Sequence, residues 1–325
     1  MRQEPRSPGR LAVTVPEELA GMRLDRALAT LVPDMSRSKI QRLIADGLVM
    51  VGGRSAPKPS LAVEAGQQVV LEVPPVVELQ EPRPQALELT ILHEDDDLVV
   101  IDKSAGLVVH AGAGKHQATL VDGLLYRYGD QLSQRGGAWR PGIVHRLDKG
   151  TSGAIAIARN DAAHDALAGQ FAARTVDKEY GAVVYGCPKE RCGEIDLPLG
   201  RDRTDRTKIS PHTDRPRDAW TRWEVTEDLA GFALMSVFPK TGRTHQVRAH
   251  LAAIHHPCVG DEKYVGAQWK SVPDAAVRNA VRRFGRPALH AHRLRLDHPR
   301  NGNRMEFVAP FPDDFEALLT TLRRS

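Results

Sequence analysis

Cysteine is scarce in this chain: Cys187, Cys192 and Cys258 are the only three among 325 residues. Three thiols cannot form a disulfide framework, and their spacing matches no zinc pattern, so staples and structural zinc are excluded as substitutes for a core. Aromatic residues make up only 5%, which leaves Leu, Val, Ile and Ala to build that core. No segment approaches the roughly 20 apolar residues of a membrane span, and Met1 to Ala20 lacks the apolar run of a secretion signal. The expectation is a cytoplasmic protein in a reducing compartment. A large charge excess is missing too. Lys and Arg number 45 against 41 Asp and Glu, a formal net charge of +4. Global charge therefore says little about a polyanionic partner, and the placement of the cations carries more weight.

The length suits one substantial core plus a smaller module. Arg2, Arg6 and Arg10 lie among Pro, Gly and Ser, and residues 1–17 are expected to form a disordered tail. A helix is expected over Arg23 to Thr30 and a clearer one over Ser36 to Ala45, where Ile40, Leu43 and Ile44 share an apolar face, Ser36 caps and Gly47 terminates. Arg37, Lys39 and Arg42 lie on or near its other side, either as a solvated face or as contacts for RNA phosphates. Short strands at Leu48 to Val51 and Val69 to Val73 complete a small helix–helix–strand unit over residues 18–75. Pro74, Pro75, Pro82 and Pro84 mark a linker at 76–88.

Residues 89–325 follow a different pattern. Strands are expected at Leu98 to Ile101, Ala154 to Ala158, Tyr180 to Val184, Phe232 to Phe238 and Met305 to Val308. Helices are expected at Asn160 to Ala173, Thr244 to Ile254, Asp274 to Phe284 and Asp314 to Leu322. Strands outnumber helices without alternating one for one, which favours a mixed α+β domain over a doubly wound sheet. The polar stretch 199–218, rich in Arg and Asp, is either a functional loop or disordered.

Reactive side chains concentrate in three segments. Gly142 to Gly153 turns from an apolar start into a tight polar loop carrying His145, Arg146 and Asp148, then re-enters an apolar run. Lys178-Glu179-Tyr180 enters a strand. Lys240 to Leu251 begins as a cationic turn with Arg243 and continues as a helix carrying Arg248, with Thr244 as a possible cap. His245 and His250 lack the spacing of a metal motif. Glu94 to Asp97 reads as a solvated acidic turn.

Together these segments resemble the RluA-type family of RNA pseudouridine synthases. Asp148 falls in a His-Arg-Leu-Asp segment followed by Thr-Ser-Gly, Tyr180 matches the family's tyrosine, and Arg243 is the first arginine of a Gly-Arg-Thr-His-Gln-x-Arg segment. Gly260-Asp261, Tyr264 to Gly266 and Leu289-His290-Ala291 extend the resemblance across residues 90–310. Arg23-Leu24-Asp25 through Ser36-Arg37 to Gly66 resembles an α-L RNA-binding domain. His255 stands where the family usually has Gly. The resemblance implies an α+β catalytic domain with a mixed, mainly antiparallel sheet. It also implies isomerisation of uridine to pseudouridine, with Asp148 as the essential carboxylate, Tyr180 against the flipped uracil and Arg243 as the carboxylate's partner. His145, Arg146, Lys178, Arg248 and Leu289 are expected at the substrate. Isomerisation exchanges no electrons and loses no group, so neither cofactor nor metal is required. Length and layout are most similar to the RluD-type members, which act on a large-subunit rRNA loop at the ribosomal subunit interface. The expected partner is accordingly large-subunit rRNA or the assembling subunit, bound by a monomer. A tRNA-directed synthase and a non-catalytic assembly factor are the alternatives.

Overall fold

The computed structural model describes residues 9–74, 81–110 and 118–324. The chain divides into two compact units, Met1–Glu78 and Leu79–Ser325. The first is built on β1 (Gly9–Thr14), α1 (Leu24–Leu31), α2 (Arg37–Ala45), β2 (Val49–Val51), β3 (Arg54–Ser55) and β4 (Gln68–Val73). Its sheet runs β1-β4-β2-β3. Leu24, Leu28, Ile40 and Ile44 from the helices bury against Val49, Val69 and Leu71 from the strands. The N-terminal side chain of α2 is Ser36, whose Oγ accepts from the Lys39 N–H as its position implies. Gly52 and Gly53, at φ +56° and +81°, make the two-residue turn joining β2 to β3, a backbone conformation that suits glycine.

One expectation fails here. Residues 9–14, assigned to a disordered tail, form β1 and pair with Val73 through Gln68. The edge of β4 supplies the hydrogen bonds that the Leu11-Ala12-Val13 segment cannot find locally. Residues 1–8 lie outside the described residues, as do residues 75–80, which include the start of the expected 76–88 linker.

The second unit contains β5 (Thr90–Glu94), β6 (Leu98–Lys103), α3 (Leu120–Tyr128), β7 (Ser152–Ala158), α4 (Asp161–Ala173), β8 (Asp177–Tyr185), β9 (Cys192–Asp196), β10 (Gly200–Arg201), β11 (Ile209–Ser210), β12 (Trp220–Asp228), β13 (Phe232–Pro239), α5 (Gln246–Ala253), α6 (Ala275–Arg283), β14 (Leu289–Asp297), β15 (Arg304–Val308) and α7 (Asp313–Arg323). Its sheet runs β5-β6-β7-β14-β8-β13-β12-β9, with β15 on β14. Every neighbouring pair is antiparallel except β7 and β14. The fold is thus α+β with a mixed, mainly antiparallel sheet. Among the described residues no helix is long and apolar enough to cross a membrane.

Alternate residues of β8 divide the helices between two sheet faces. Val183 and Tyr185 join the cluster that holds α6 and α7, whereas Ala182 and Val184 pack with Val247 and Leu251 of α5. The stretch 199–218 is ordered, pairing β10 with β11. The acidic turn is not merely solvated either. Asp95 accepts from His93 and His298, and Asp97 is buried beside Arg300 and Asn160, so this turn fastens β5–β6 to the far end of β14.

Candidate active site

A cleft of about 510 Å³ opens where three chain segments converge: the Asp148 loop before β7, the start of β8, and the turn leading from β13 into α5. Leu289, at the first position of β14, also lines it.

The Thr151-Ser152-Gly153 sequence explains how the loop is held. The Thr151 N–H donates to the Asp148 carbonyl at 3.0 Å, closing the turn. Ser152 Oγ lies 2.9 Å from His290 Nδ1, and His290 Nε2 donates to the Ala309 carbonyl at 3.1 Å, so the hydroxyl donates to Nδ1. Burial holds His290 down at about 4, keeping it neutral for this arrangement. Gly153 has φ +112°, and a Cβ there would sit 2.3 Å from the Ala291 carbonyl oxygen. Only glycine lets β7 approach β14 so closely. His145 accepts the Ala156 N–H at 2.8 Å on Nε2 and stacks on Phe171. Burial, then Lys178, pushes it down to about 3, so it anchors the loop as a neutral ring. Arg146 is exposed, with no side-chain partner among the described residues.

Asp148 meets a buried arginine. Arg248 Nη1 donates to Asp148 Oδ2 at 3.0 Å, while Arg248 Nε and Nη2 grip Asp261 at 2.6 and 2.8 Å. Burial opposes the charge on Arg248, but Asp261 and then Asp148 outweigh it and raise the guanidinium above its ordinary value. Among the described residues no donor hydrogen-bonds to Oδ1 of Asp148. The carboxylate is therefore held by one oxygen and available through the other.

The expected pairing of Asp148 with Arg243 is corrected by this geometry. Arg243 precedes α5, and its Nε donates instead to the Asp218 carbonyl at 3.1 Å on the cleft rim. Arg248 is carried by α5 itself, whose buried face points to the loop. Thr244 likewise does not cap the helix. His245 occupies the cap position at φ +52°, with no capping side-chain bond. Buried Gln246 holds the turn, accepting from Thr241 Oγ1 and the Arg243 N–H and donating to the Trp220 carbonyl and Thr221 Oγ1.

Tyr180 lines the same cleft, and burial followed by the Asp148 charge pushes its phenol well above the usual range. A proton is thus firmly held on the hydroxyl. Lys178 donates to the Thr241 carbonyl at 3.3 Å, and burial, with Arg174, lowers its ammonium to about 8. Lys103, which sequence reasoning left without a role, is fully buried and donates to the Ser104 and Leu107 carbonyls, each at 2.9 Å. The turn it secures sends the Gly106 N–H to the Lys149 carbonyl at 2.8 Å, bracing the residue next to Asp148. Asp261 and Gln246 were visible only as letters in the resembling motifs.

In the smaller unit, Arg37 donates to the fully buried Asp25 at 3.0 and 2.8 Å, so its guanidinium is committed to the fold. The side chains of Lys39 and Arg42 have no such partner among the described residues.

The family model for RNA pseudouridylate synthase matches residues 97–253, and that for the S4 domain matches residues 22–69. An uncharacterized RNA pseudouridine synthase, YlyB of Bacillus subtilis, is 39% identical over 96% of this chain and 98% of its own length. The ribosomal large subunit pseudouridine synthase D of Pseudomonas aeruginosa is 41% identical over 96% of both chains. The chain belongs to the RluA-type RNA pseudouridine synthases. The structure of human RNA pseudouridylate synthase domain containing 4 is 27% identical, with a TM-score of 0.57, covering 72% of this chain and 93% of that one. The larger unit of this synthase carries the catalytic domain, and the matched region includes Asp148, Tyr180, Arg243 and Arg248.

Proposed function

We propose that this synthase isomerises uridines of large-subunit ribosomal RNA, in the stem-loop at the subunit interface, with Asp148 as the catalytic carboxylate. The observation that carries the chemical assignment is the one-sided hold on Asp148: Arg248 takes Oδ2, and Oδ1 is left to a cleft that Tyr180 and Leu289 also line. The RNA assignment is supported by the relatives named for large-subunit modification and by the S4 match over the smaller unit.

Pseudouridine formation breaks the bond between uracil N1 and the sugar, turns the base, and joins C5 to the sugar carbon. The proton leaves C5, and N1 gains one. A uridine must first leave its stack, at a cost of a few kcal/mol that is smallest in a loop. Asp148 starts the rearrangement as nucleophile or base while Arg248 keeps it ionised and oriented. Tyr180 lies against the flipped base with its hydroxyl at the reacting carbon, and Leu289 bounds the pocket. Lys178 and Arg243 face the RNA at the rim, and Arg146 reaches it from the loop. His145 serves the loop rather than the substrate. Lys39 and Arg42 add phosphate contacts in the smaller unit, and such binding weakens as salt rises. The enzyme works as a monomer in the cytoplasm, where subunits are assembled.

The test is site-resolved pseudouridine mapping of total RNA from cells lacking the protein, complemented with wild type or Asp148→Asn. Loss at the interface loop, restored by wild type alone, is the expected result. Missing tRNA sites with intact rRNA would replace the substrate. Restoration by Asp148→Asn would overturn the catalytic assignment.

A further inference from the structure

One imidazole of the cleft takes no part in the steps above. His245 lines the cleft, yet it stands at φ +52° and ψ 21° without capping α5. A residue with a Cβ rarely adopts that left-handed conformation, and here the Gln246 bonds to Thr241, Arg243 and Trp220 hold the turn in place. The turn sets the ring between two partners. Nδ1 lies 3.3 Å from Tyr264 Oη, and Nε2 lies 3.9 Å from Asp148 Oδ2.

Tyr264 fixes which nitrogen carries the proton. Its hydroxyl donates to the Ile209 carbonyl at 2.9 Å and accepts the Ile209 N–H at 3.2 Å, so its single proton is committed. His245 then donates from Nδ1, which leaves Nε2 bare. Among the described residues no donor hydrogen-bonds to Nε2. Burial holds the imidazole below its ordinary value; Asp148 opposes this, Arg248 and Lys263 reinforce it, and Asp261 opposes it. A neutral ring with a free lone pair therefore sits beside the reacting carboxylate at neutral pH. The other basic groups of the cleft are occupied. His145 Nε2 accepts the Ala156 N–H, Lys178 donates to the Thr241 carbonyl, the Tyr180 hydroxyl holds its proton firmly, and Asp148 is turned to the opening step.

We propose that His245 Nε2 takes the proton from uracil C5 after the new carbon–carbon bond has formed. The assignment rests on Asp148 being the catalytic carboxylate and adds a second group to the same site. At that stage C5 carries both the sugar and its original hydrogen. The C5–H bond breaks, its electron pair returns to the ring, and Nε2–H forms to give an imidazolium. The imidazolium then gives its proton to N1, and the histidine is neutral again. No atom or electron is gained or lost over the two transfers. The carboxylates of Asp148 and Asp261 stabilise the cation while it lasts, and the Nδ1 proton stays on the Tyr264 bond throughout.

The test uses the full chain and large-subunit RNA transcribed with either protium or deuterium at uridine C5. Single-turnover rates at saturating RNA are compared for wild type, His245→Gly and His245→Asn, with Asp148→Asn run beside them. Glycine and asparagine both accept a left-handed backbone, so either variant keeps the start of α5. Both His245 variants should react on the order of 10²-fold more slowly, with RNA affinity nearly unchanged. Their protium-to-deuterium rate ratio should rise above the wild-type ratio, because the slowed step is the one that breaks C5–H. A near-wild-type rate in either variant would overturn the assignment. So would a slowed rate with an unchanged ratio, which would mean that His245 only holds the turn. Near-wild-type turnover by Asp148→Asn would defeat the carboxylate reading instead, while the ratio still judges His245. If wild type forms no pseudouridine on this transcript, the large-subunit target is wrong, and total RNA labelled at C5 in cells lacking the protein carries the same comparison.

Discussion

Asp25 and Asp148 are both aspartates gripped by arginine, and they do opposite things. Asp25 has no exposed side-chain surface and accepts from Arg23, Arg37 and Gln41 on both oxygens. Burial works against its charge, but those three donors outweigh it and hold the carboxyl far below the ordinary range. Asp148 keeps 17% of its side-chain surface, and only one oxygen is held. A saturated carboxylate is a structural rivet. One left half-satisfied at a cleft retains lone pairs that a substrate can meet, and its environment is what distinguishes it, since the residue type and the arginine partner are shared.

The sharpest way to break this comparison is to remove each charge. Asp148→Asn should lower the single-turnover rate by on the order of 10⁴-fold or more, with thermal melting nearly unchanged. Asp25→Ala should instead cost the smaller unit about 1.5–3 kcal/mol through the lost charge-assisted hydrogen bonds from the half-exposed Arg23 and Arg37, read by denaturant unfolding and limited proteolysis. Equal effects on both readouts for both variants would dissolve the distinction. Next in size, Arg248→Lys should slow isomerisation by on the order of 10²-fold, because an ammonium cannot hold Asp148 and the fork of Asp261 together. Arg243→Ala should act mainly on RNA affinity. Rate constants at saturating RNA separate the two, and a larger rate loss at Arg243 would return it to the carboxylate's side.

The smallest effect is one of pH. In the unfolded chain Asp25 titrates near the ordinary 3.8 of an aspartate, and in the fold it titrates lower. The unfolded state therefore binds the proton first as pH falls, and the stability Asp25 contributes is full above about 4 and drains away below it. Asp25→Asn has no such proton to gain. The stability gap between wild type and this variant should narrow as acid is added, and a gap that widens would reverse the assigned sign.

Much of this was legible in the chain. Periodicity located α2, α6 and α7 because each repeats apolar residues along one face and begins at a side chain that caps or at Pro312, whereas the Ala-rich α4 was marked by its Asn160 cap and its composition. Helix α3 escaped notice although Thr119 and Asp122 form a capping box, since Asp122-Gly123 interrupts its short apolar pattern with a poor helix former. Strand β14 was missed because its Arg and His residues, half-buried between neighbours on both sides, lack a clean apolar run. The motif resemblance brought out Asp148 and Tyr180, which line one cleft. It could not decide between two arginines five positions apart. That choice depends on where α5 starts, and His245 in a left-handed conformation delays the start past Thr244. His255 adopts φ +66°, which accounts for glycine being usual at that position in the family.

The bond between Ser152 and His290 spans 138 residues of sequence. Those two residues are also register partners in the one parallel seam of the large sheet among the described residues, and the cleft wall at Leu289 sits one residue before His290. The hairpins β5–β6 and β12–β13 can zip locally as they leave the ribosome, but the seam waits for β14. During its own synthesis the cleft therefore lacks its Leu289 wall until β14 has been made, long after the Asp148 loop. A nascent chain paused before that point holds Asp148 without the strand that supplies the Leu289 wall of its cleft.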